Sequence, residues 1–283
     1  MPQRGSYCNS YTNFIEADLS VPMIDIVDIL REKYDISGRQ AKKLIKKGCV
    51  LLDDKPVNSR YINKSGTDKI TVNLKEPEIR YDTQNFFIKQ TPNVLFLYKP
   101  PFMHTERITP FDPLTLQDIV KNEFPGYKLI SRLDFETDGV VAAIRDLPEY
   151  STQKQYLAFI CGKLRENIKL SYEIDASHRK KVKVLNREGN NATVFSPIKY
   201  FRDSSGEEVT LISVSLNYAS RHQIRAFCAH IGMPIVGDSL YGYRYCKRMF
   251  LHCKYTKIIS SLLNERGIRA FSPNWQEFVK SFD

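Results

Sequence analysis

The sequence predicts an α+β protein in two parts. One is a small α+β module near the amino terminus. The other is a larger domain on a mixed, largely antiparallel β-sheet with flanking helices. Three observations lead there. A chain of 283 residues exceeds one average domain, and 42% hydrophobic against 26% charged residues supply a buried core. Helical patterns come first between residues 21 and 75, followed by short strand candidates. From residue 85 onward, apolar β-rich runs recur with only a few helical ones and no regular alternation, which disfavours a parallel α/β sheet.

The elements follow in order. Residues 1–20 are polar and without period, and read as an arm. Ile24, Ile26, Val27, Ile29 and Leu30 make an apolar helical face, and residues 40–47 suggest a second helix stopped by Gly48. Strand candidates follow at Val50, Leu51 and Leu52, then at residues 57–61 and 69–74, with a turn at residues 53–56. Residues 76–84, with Pro77, read as a linker, and the larger domain spans 85–283. In it residues 94–98 form a strand-like run, and residues 151–155 and 223–230 read as helical.

Charge narrows the partner. The 42 Lys and Arg against 32 Asp and Glu give +10 and a pI near 9.2, which suits a polyanion but equally a plain basic protein. The module of residues 21–75 holds 12 basic and 7 acidic residues, a net of +5, with Arg39, Lys42, Lys43, Lys46 and Lys47 clustered. Such concentration favours phosphate contact over a merely solvated helix face. Six cysteines, Cys8, Cys49, Cys161, Cys228, Cys246 and Cys253, include no C-x-x-C pair. They are expected to be reduced thiols of a cytoplasmic protein. No stretch is apolar and long enough for a signal peptide or a membrane span, so neither secretion nor membrane insertion is expected.

Two segments can carry chemistry. In residues 129–141 a strand-like run breaks into a polar loop bearing Asp134, Glu136 and Asp138, then resumes at Val140 and Val141. With three carboxylates in five residues, some are only turn formers. The second segment, Ser220, Arg221, His222, Gln223, Ile224 and Arg225, precedes a glycine-rich stretch and suits phosphate or carboxylate binding. His222 and His230 lack the spacing and the glutamate of a helix-borne zinc pair, and no metal is expected.

Two resemblances add to this. The run from Ser37 to Val50, then Leu52 to Asn58 and the turn Gly66-Thr67-Asp68-Lys69-Ile70, resembles the RNA-binding domain named after small-subunit ribosomal protein four. It implies RNA contact by Arg39, Lys42, Lys43 and Lys46. The remainder resembles the RluA-type pseudouridine synthases. The matches are Tyr98-Lys99-Pro100-Pro101 with His104; Arg132-Leu133-Asp134 with Thr137 and Gly139; Lys154-Gln155-Tyr156-Leu157-Ala158 with Gly162; Ala192-Thr193; His222-Gln223-Ile224-Arg225; Ile231-Gly232 with Pro234-Ile235; Gly237-Asp238; Tyr241-Gly242; and Leu251-His252.

That resemblance implies uridine-to-pseudouridine isomerisation without cofactor or metal. Asp134 would be the essential aspartate, Tyr156 the active-site tyrosine and Arg225 the arginine paired with the aspartate. Arg132 would fill the space of a flipped base, Arg221, His222 and Gln223 would contact substrate, and Leu251 would wall the pocket or simply belong to the core. The expected partner is ribosomal RNA, of the large subunit first, with transfer RNA second, bound by a monomer. The chain departs from the family at Ser131, commonly histidine; Phe135, commonly lysine; Asp138, commonly serine; and Ala219-Ser220, where a glycine-arginine pair is usual. A non-catalytic RNA-binding factor and a paired-carboxylate glycosidase are the alternatives, and retention of Tyr156 and Arg225 argues against both.

Overall fold

A computed structural model describes residues 23–46, 48–53, 55–57, 61–63, 70–72, 83–108, 112, 114–177, 180–203, 205–242, 246, 248–263 and 267–282. The chain divides into two compact units, Met1–Glu76 and Pro77–Asp283. The expected arm and most of the expected linker lie outside the described residues, but Thr83 and Gln84 open a short 3-10 helix, Thr83–Phe86.

In the first unit, strand β1 (Met23–Asp25) leads into α1 (Ile26–Tyr34), followed by α2 (Gly38–Lys46). Ile24 was expected on the helix and lies instead in β1. The Asp25 carboxylate accepts a 2.9 Å bond from the Val27 N–H, so it caps the helix and fixes its start after Ile24. The second helix begins at Gly38, earlier than expected. Ser37 and Gln40 cap it reciprocally, the Ser37 N–H donating to Gln40 Oε1 at 2.6 Å and the Gln40 N–H to Ser37 Oγ at 3.3 Å.

Ile26, Val27 and Leu30 of α1 and Ala41, Leu44 and Ile45 of α2 are buried, while Arg39, Lys42 and Lys43 are exposed. The spacing of 39, 42 and 43 puts the three cations on one helical face. The Lys46 side chain lies outside the described residues. Strands β2 (Val50–Leu52), β3 (Lys55–Pro56) and β5 (Ile70–Val72) form a small sheet, and β4 (Tyr61–Asn63) pairs with β1. Lys55 and Pro56 of the expected turn are thus strand, and of the strand expected at 57–61 residues 58–60 lie outside the described residues while Tyr61 opens β4.

The second unit is built on one ten-stranded sheet. Its strands are β6 (Phe87–Gln90), β7 (Val94–Lys99), β8 (Lys128–Leu129), β9 (Asp138–Ile144), β10 (Ser151–Cys161), β11 (Ile168–Asp175), β12 (Lys183–Arg202), β13 (Glu208–Leu216), β14 (Leu251–Ile259) and β15 (Ile268–Phe271). They run in the order β11-β12-β13-β10-β14-β9-β7-β6, with β15 on β14 and β8 on β9. Among the described residues every pairing is antiparallel except β9 with β14, so the sheet is mixed and largely antiparallel, with few helices. Those helices are α3 (Leu116–Glu123), α4 (Gln223–His230) and α5 (Trp275–Lys280).

The helix expected at 151–155 is absent. Those residues begin β10, paired from Ser151 with Ile259 to Gln155 with Tyr255. Their composition has no strong strand signal, and pairing within the sheet overrides it. Val94 to Leu97 of β7 and Val140 to Ala143 of β9 are wholly buried. Strands covered on both faces read as continuous apolar runs, which is why these were recognisable. Where β9 meets β14, Gly139 takes φ +121, and a Cβ there would lie 2.2 Å from the Cys253 carbonyl oxygen. Only glycine lets the two strands approach directly beside Asp138. Among the described residues no helix is long and apolar enough to cross a membrane.

Candidate active site

The loop between β8 and β9 carries Asp134, and its backbone is bound at several points. Thr105 Oγ1 donates to the Leu133 carbonyl at 2.8 Å and accepts from the Leu133 N–H at 3.1 Å. The Thr137 N–H donates to the Asp134 carbonyl at 3.1 Å, and the Phe102 N–H to the Phe135 carbonyl at 2.7 Å. Beneath them lies Lys99, fully buried, whose Nζ donates to the carbonyls of Pro100 at 2.9 Å, Met103 at 2.8 Å and Phe135 at 3.4 Å. Burial pushes this lysine down to about 7 against the opposing pull of Asp138 and Asp134. The loop is thus held on a backbone cradle before any substrate arrives.

One face of Asp134 is met by α4. Arg225 Nη1 donates to Asp134 Oδ2 at 2.7 Å, while its Nε and Nη2 donate to Asp238 Oδ2 and Oδ1 at 2.7 and 2.8 Å. The Asp238 carboxylate is fully buried and also accepts the Leu240 and Tyr241 N–H groups, both at 3.0 Å. Burial works to raise its pKa, but the Arg225 bonds and charge, together with those backbone donors, hold it below the ordinary value. Arg225 is itself pushed upward, its desolvation outweighed by Asp238 and Asp134. The Asp134 side chain is 26% exposed against 7% for Arg225, so the carboxylate is the end that a substrate can reach.

His222, the residue before α4, takes φ 55, and its Nε2 stands 3.7 Å from Asp134 Oδ1. Burial lowers its pKa, and the Asp134 charge opposes this. Its Nδ1 lies 3.2 Å from the Tyr241 hydroxyl, which also accepts the Val182 N–H at 2.7 Å. Tyr156, on β10, is buried and pairs across the sheet with Cys253, whose side chain bonds its hydroxyl. Burial first, then Cys253 and the charge of Asp134, push its phenol well above the ordinary value.

The other residues singled out from sequence are placed differently. Gln223 is buried, its amide donating to Thr193 Oγ1 at 2.7 Å and accepting the Ser220 N–H at 2.8 Å, so it anchors the start of α4 inside the fold. Leu251 is buried in the core cluster that also contains Tyr156. Arg221 is exposed and donates to the Ala176 carbonyl at 3.1 Å. Arg132 is exposed and pairs with Glu106 at 3.1 Å. A surface pair of this kind contributes about 0–1 kcal/mol and is readily exchanged.

Asp138 is not a loop carboxylate. It is buried at the head of β9, where it meets Arg248 at 2.5 Å, His252 Nδ1 at 3.0 Å and the Tyr98 hydroxyl at 3.2 Å. Burial raises its pKa, but His252 and Arg248 outweigh burial and lower it. Tyr98 is pushed up to about 12 by its own burial and by this charge. Such an occupied carboxylate is unavailable as the second acid of a glycosidase. Asp238 and the Asp138 cluster were not recognised as site elements in the sequence. Gly237 before Asp238 was the available signal: at φ +78, a Cβ there would meet the Arg248 carbonyl oxygen at 1.9 Å. Among the described residues no three His, Cys, Asp or Glu side chains are grouped to hold a metal ion.

The chain is similar to known proteins along much of its length. The family model described as RNA pseudouridylate synthase matches residues 93–230. Dual-specificity RNA pseudouridine synthase RluA of Yersinia pestis is 33% identical over 144 residues, 46% of this chain and 68% of that one. Ribosomal large subunit pseudouridine synthase C of the same organism is 33% identical over 149 residues, 44% and 45% of the two chains. The solved structure of human RNA pseudouridylate synthase domain containing 1 superposes with a TM-score of 0.56 at 22% identity, covering 72% of this chain and 88% of that one, which is a likeness of fold. By these sequence matches the chain belongs to the pseudouridine synthase family, enzymes that isomerise uridine in RNA.

Proposed function

We propose that the protein converts specific uridines of large-subunit ribosomal RNA to pseudouridine, with Asp134 as the catalytic carboxylate. The observation that carries this is the 2.7 Å bond from Arg225 Nη1 to Asp134 Oδ2, made by a guanidinium whose other nitrogens are clamped on buried Asp238. The reaction breaks the bond from ribose C1′ to uracil N1, turns the base and joins C1′ to C5, whose proton is then lost while N1 takes one up. A carboxylate beside the sugar serves this chemistry as nucleophile or base, and Arg225 holds it in place. Burial pushes the Tyr156 phenol well above its ordinary value, which supports a part for its ring against the uracil rather than for a phenolate. The ribosomal target is supported by the large-subunit name of one relative and by the amino-terminal likeness to a ribosomal protein's RNA-binding domain. The experiment is to map pseudouridine at single-nucleotide resolution in RNA from a deletion strain and its complement. One or more large-subunit sites should vanish and return. Loss of sites only in transfer RNA would overturn the ribosomal reading.

The exposed face of α2 would hold the RNA backbone through Arg39, Lys42 and Lys43, with Lys46 one turn further along the helix. Replacing Arg39, Lys42 and Lys43 by alanine should weaken binding to the mapped RNA. The slope of log binding constant against log salt should flatten by about 0.9 for each phosphate no longer neutralised. An unchanged slope would remove α2 from the interface.

A further inference from the structure

Two phenylalanines stand half-exposed at the edge of the Asp134 loop. Phe135 follows the carboxylate directly and is 41% exposed, and Phe102 is 50% exposed. Their rings meet edge to face, centroids 6.0 Å apart at 69°, and the His104 ring lies 4.6 Å from that of Phe135. The backbone beneath is fixed, since the Phe102 N–H and the buried Lys99 ammonium both donate to the Phe135 carbonyl, at 2.7 and 3.4 Å. Phe102 also holds φ 63, a conformation that a bulky residue keeps only where its surroundings impose it. A folded chain gains by burying such rings, yet here both stay exposed, one on the loop that carries Asp134 and the other packed against it.

We propose that Phe102 and Phe135 form a stacking platform for the nucleobase next to the target uridine. The proposal rests on the reading that Asp134 acts on a uridine of structured RNA. When that uridine leaves its stack, its neighbour loses a stacking partner, and an aromatic ring can replace it. Every base has a π-face, so the contact tolerates sequence, and a platform already fixed by its backbone bonds costs little further ordering on binding. Phenylalanine carries no charge, so this contact adds affinity without adding to the salt dependence.

The test is a coupling measurement on a transcript carrying the mapped uridine, and on versions with an abasic residue immediately 5′ or 3′ of it. For the wild type, one of the two abasic transcripts should lower kcat/KM about tenfold. F135A, and F102A with F135A, should lose about as much on the intact transcript, and the same abasic residue should cost them nothing more. F135W should retain the wild-type pattern and F135L should not. If variant and abasic losses multiply, or if F135A matches the wild type on every transcript, the platform is wrong, and in the second case the rings await a protein partner. Wild-type turnover on the intact transcript reports on Asp134 separately. Its absence would overturn that reading and this proposal with it, whereas turnover with multiplied losses overturns the platform alone.

Discussion

Asp134→Asn is expected to lower pseudouridine formation by at least about 10³-fold while leaving the fold and RNA affinity nearly intact. The amide is isosteric with the carboxylate, and its oxygen can still accept the bond from Arg225 Nη1 that Asp134 Oδ2 now accepts at 2.7 Å. It lacks the negative charge needed to attack the sugar or take its proton. Stability should fall by only about 1–2 kcal/mol, the difference between a charged and a neutral acceptor at one hydrogen bond, because Arg225 keeps both of its bonds to Asp238. Single-turnover conversion of the mapped transcript, its dissociation constant and a thermal melt separate the three quantities. Turnover close to wild type with normal binding would remove Asp134 from the chemistry.

What could be read from the sequence, and what could not, follows from the range of the interactions involved. The buried strands β7 and β9 were legible because burial on both faces leaves an unbroken apolar run. The start of β10 was not, because residues 151–155 are polar and owe their extended form to β14, about a hundred residues downstream. Asp134, Tyr156 and Arg225 were named through resemblance, and the structure brings Arg225 to Asp134 across 91 residues. The composition of the loop gave no way to rank its three carboxylates. Asp134 is reachable, whereas Asp138 is enclosed by Arg248, His252 and Tyr98, two of them more than a hundred residues away. Asp138 thus comes with partners that account for its burial: the carboxylate is matched by a cation, an imidazole and a phenol. Asp238 stayed hidden for the same reason. Its role depends on a guanidinium that side-chain chemistry alone could equally have assigned to phosphate.

Arg225→Met is expected to reduce activity at least about 100-fold and, in contrast to Asp134→Asn, to destabilise the fold by about 3–5 kcal/mol at neutral pH. Methionine fills much of the volume but supplies none of the donors. Asp238, fully buried, keeps only the Leu240 and Tyr241 N–H groups, and Asp134 loses its clamp. The loss should depend on pH in a definite sense. In the wild type Asp238 is held below the ordinary carboxylate value, so its pairing stabilises the fold above the unfolded pKa of about 4, and that stability is lost as pH falls through the lower folded value. In the variant, burial remains while the main opposing influence is gone, so the folded pKa of Asp238 rises above its unfolded value. Acidification from pH 7 then protonates the stranded carboxylate in the folded variant and relieves its cost, while the wild type gains nothing over the same interval. The gap between the two melting temperatures should therefore be widest near pH 7 and narrow toward pH 4. Asp238→Asn in the same background should recover part of the stability at pH 7 without restoring turnover. A gap that is constant or widens on acidification would show that the destabilisation comes from poorer packing rather than from a buried charge left without its partner.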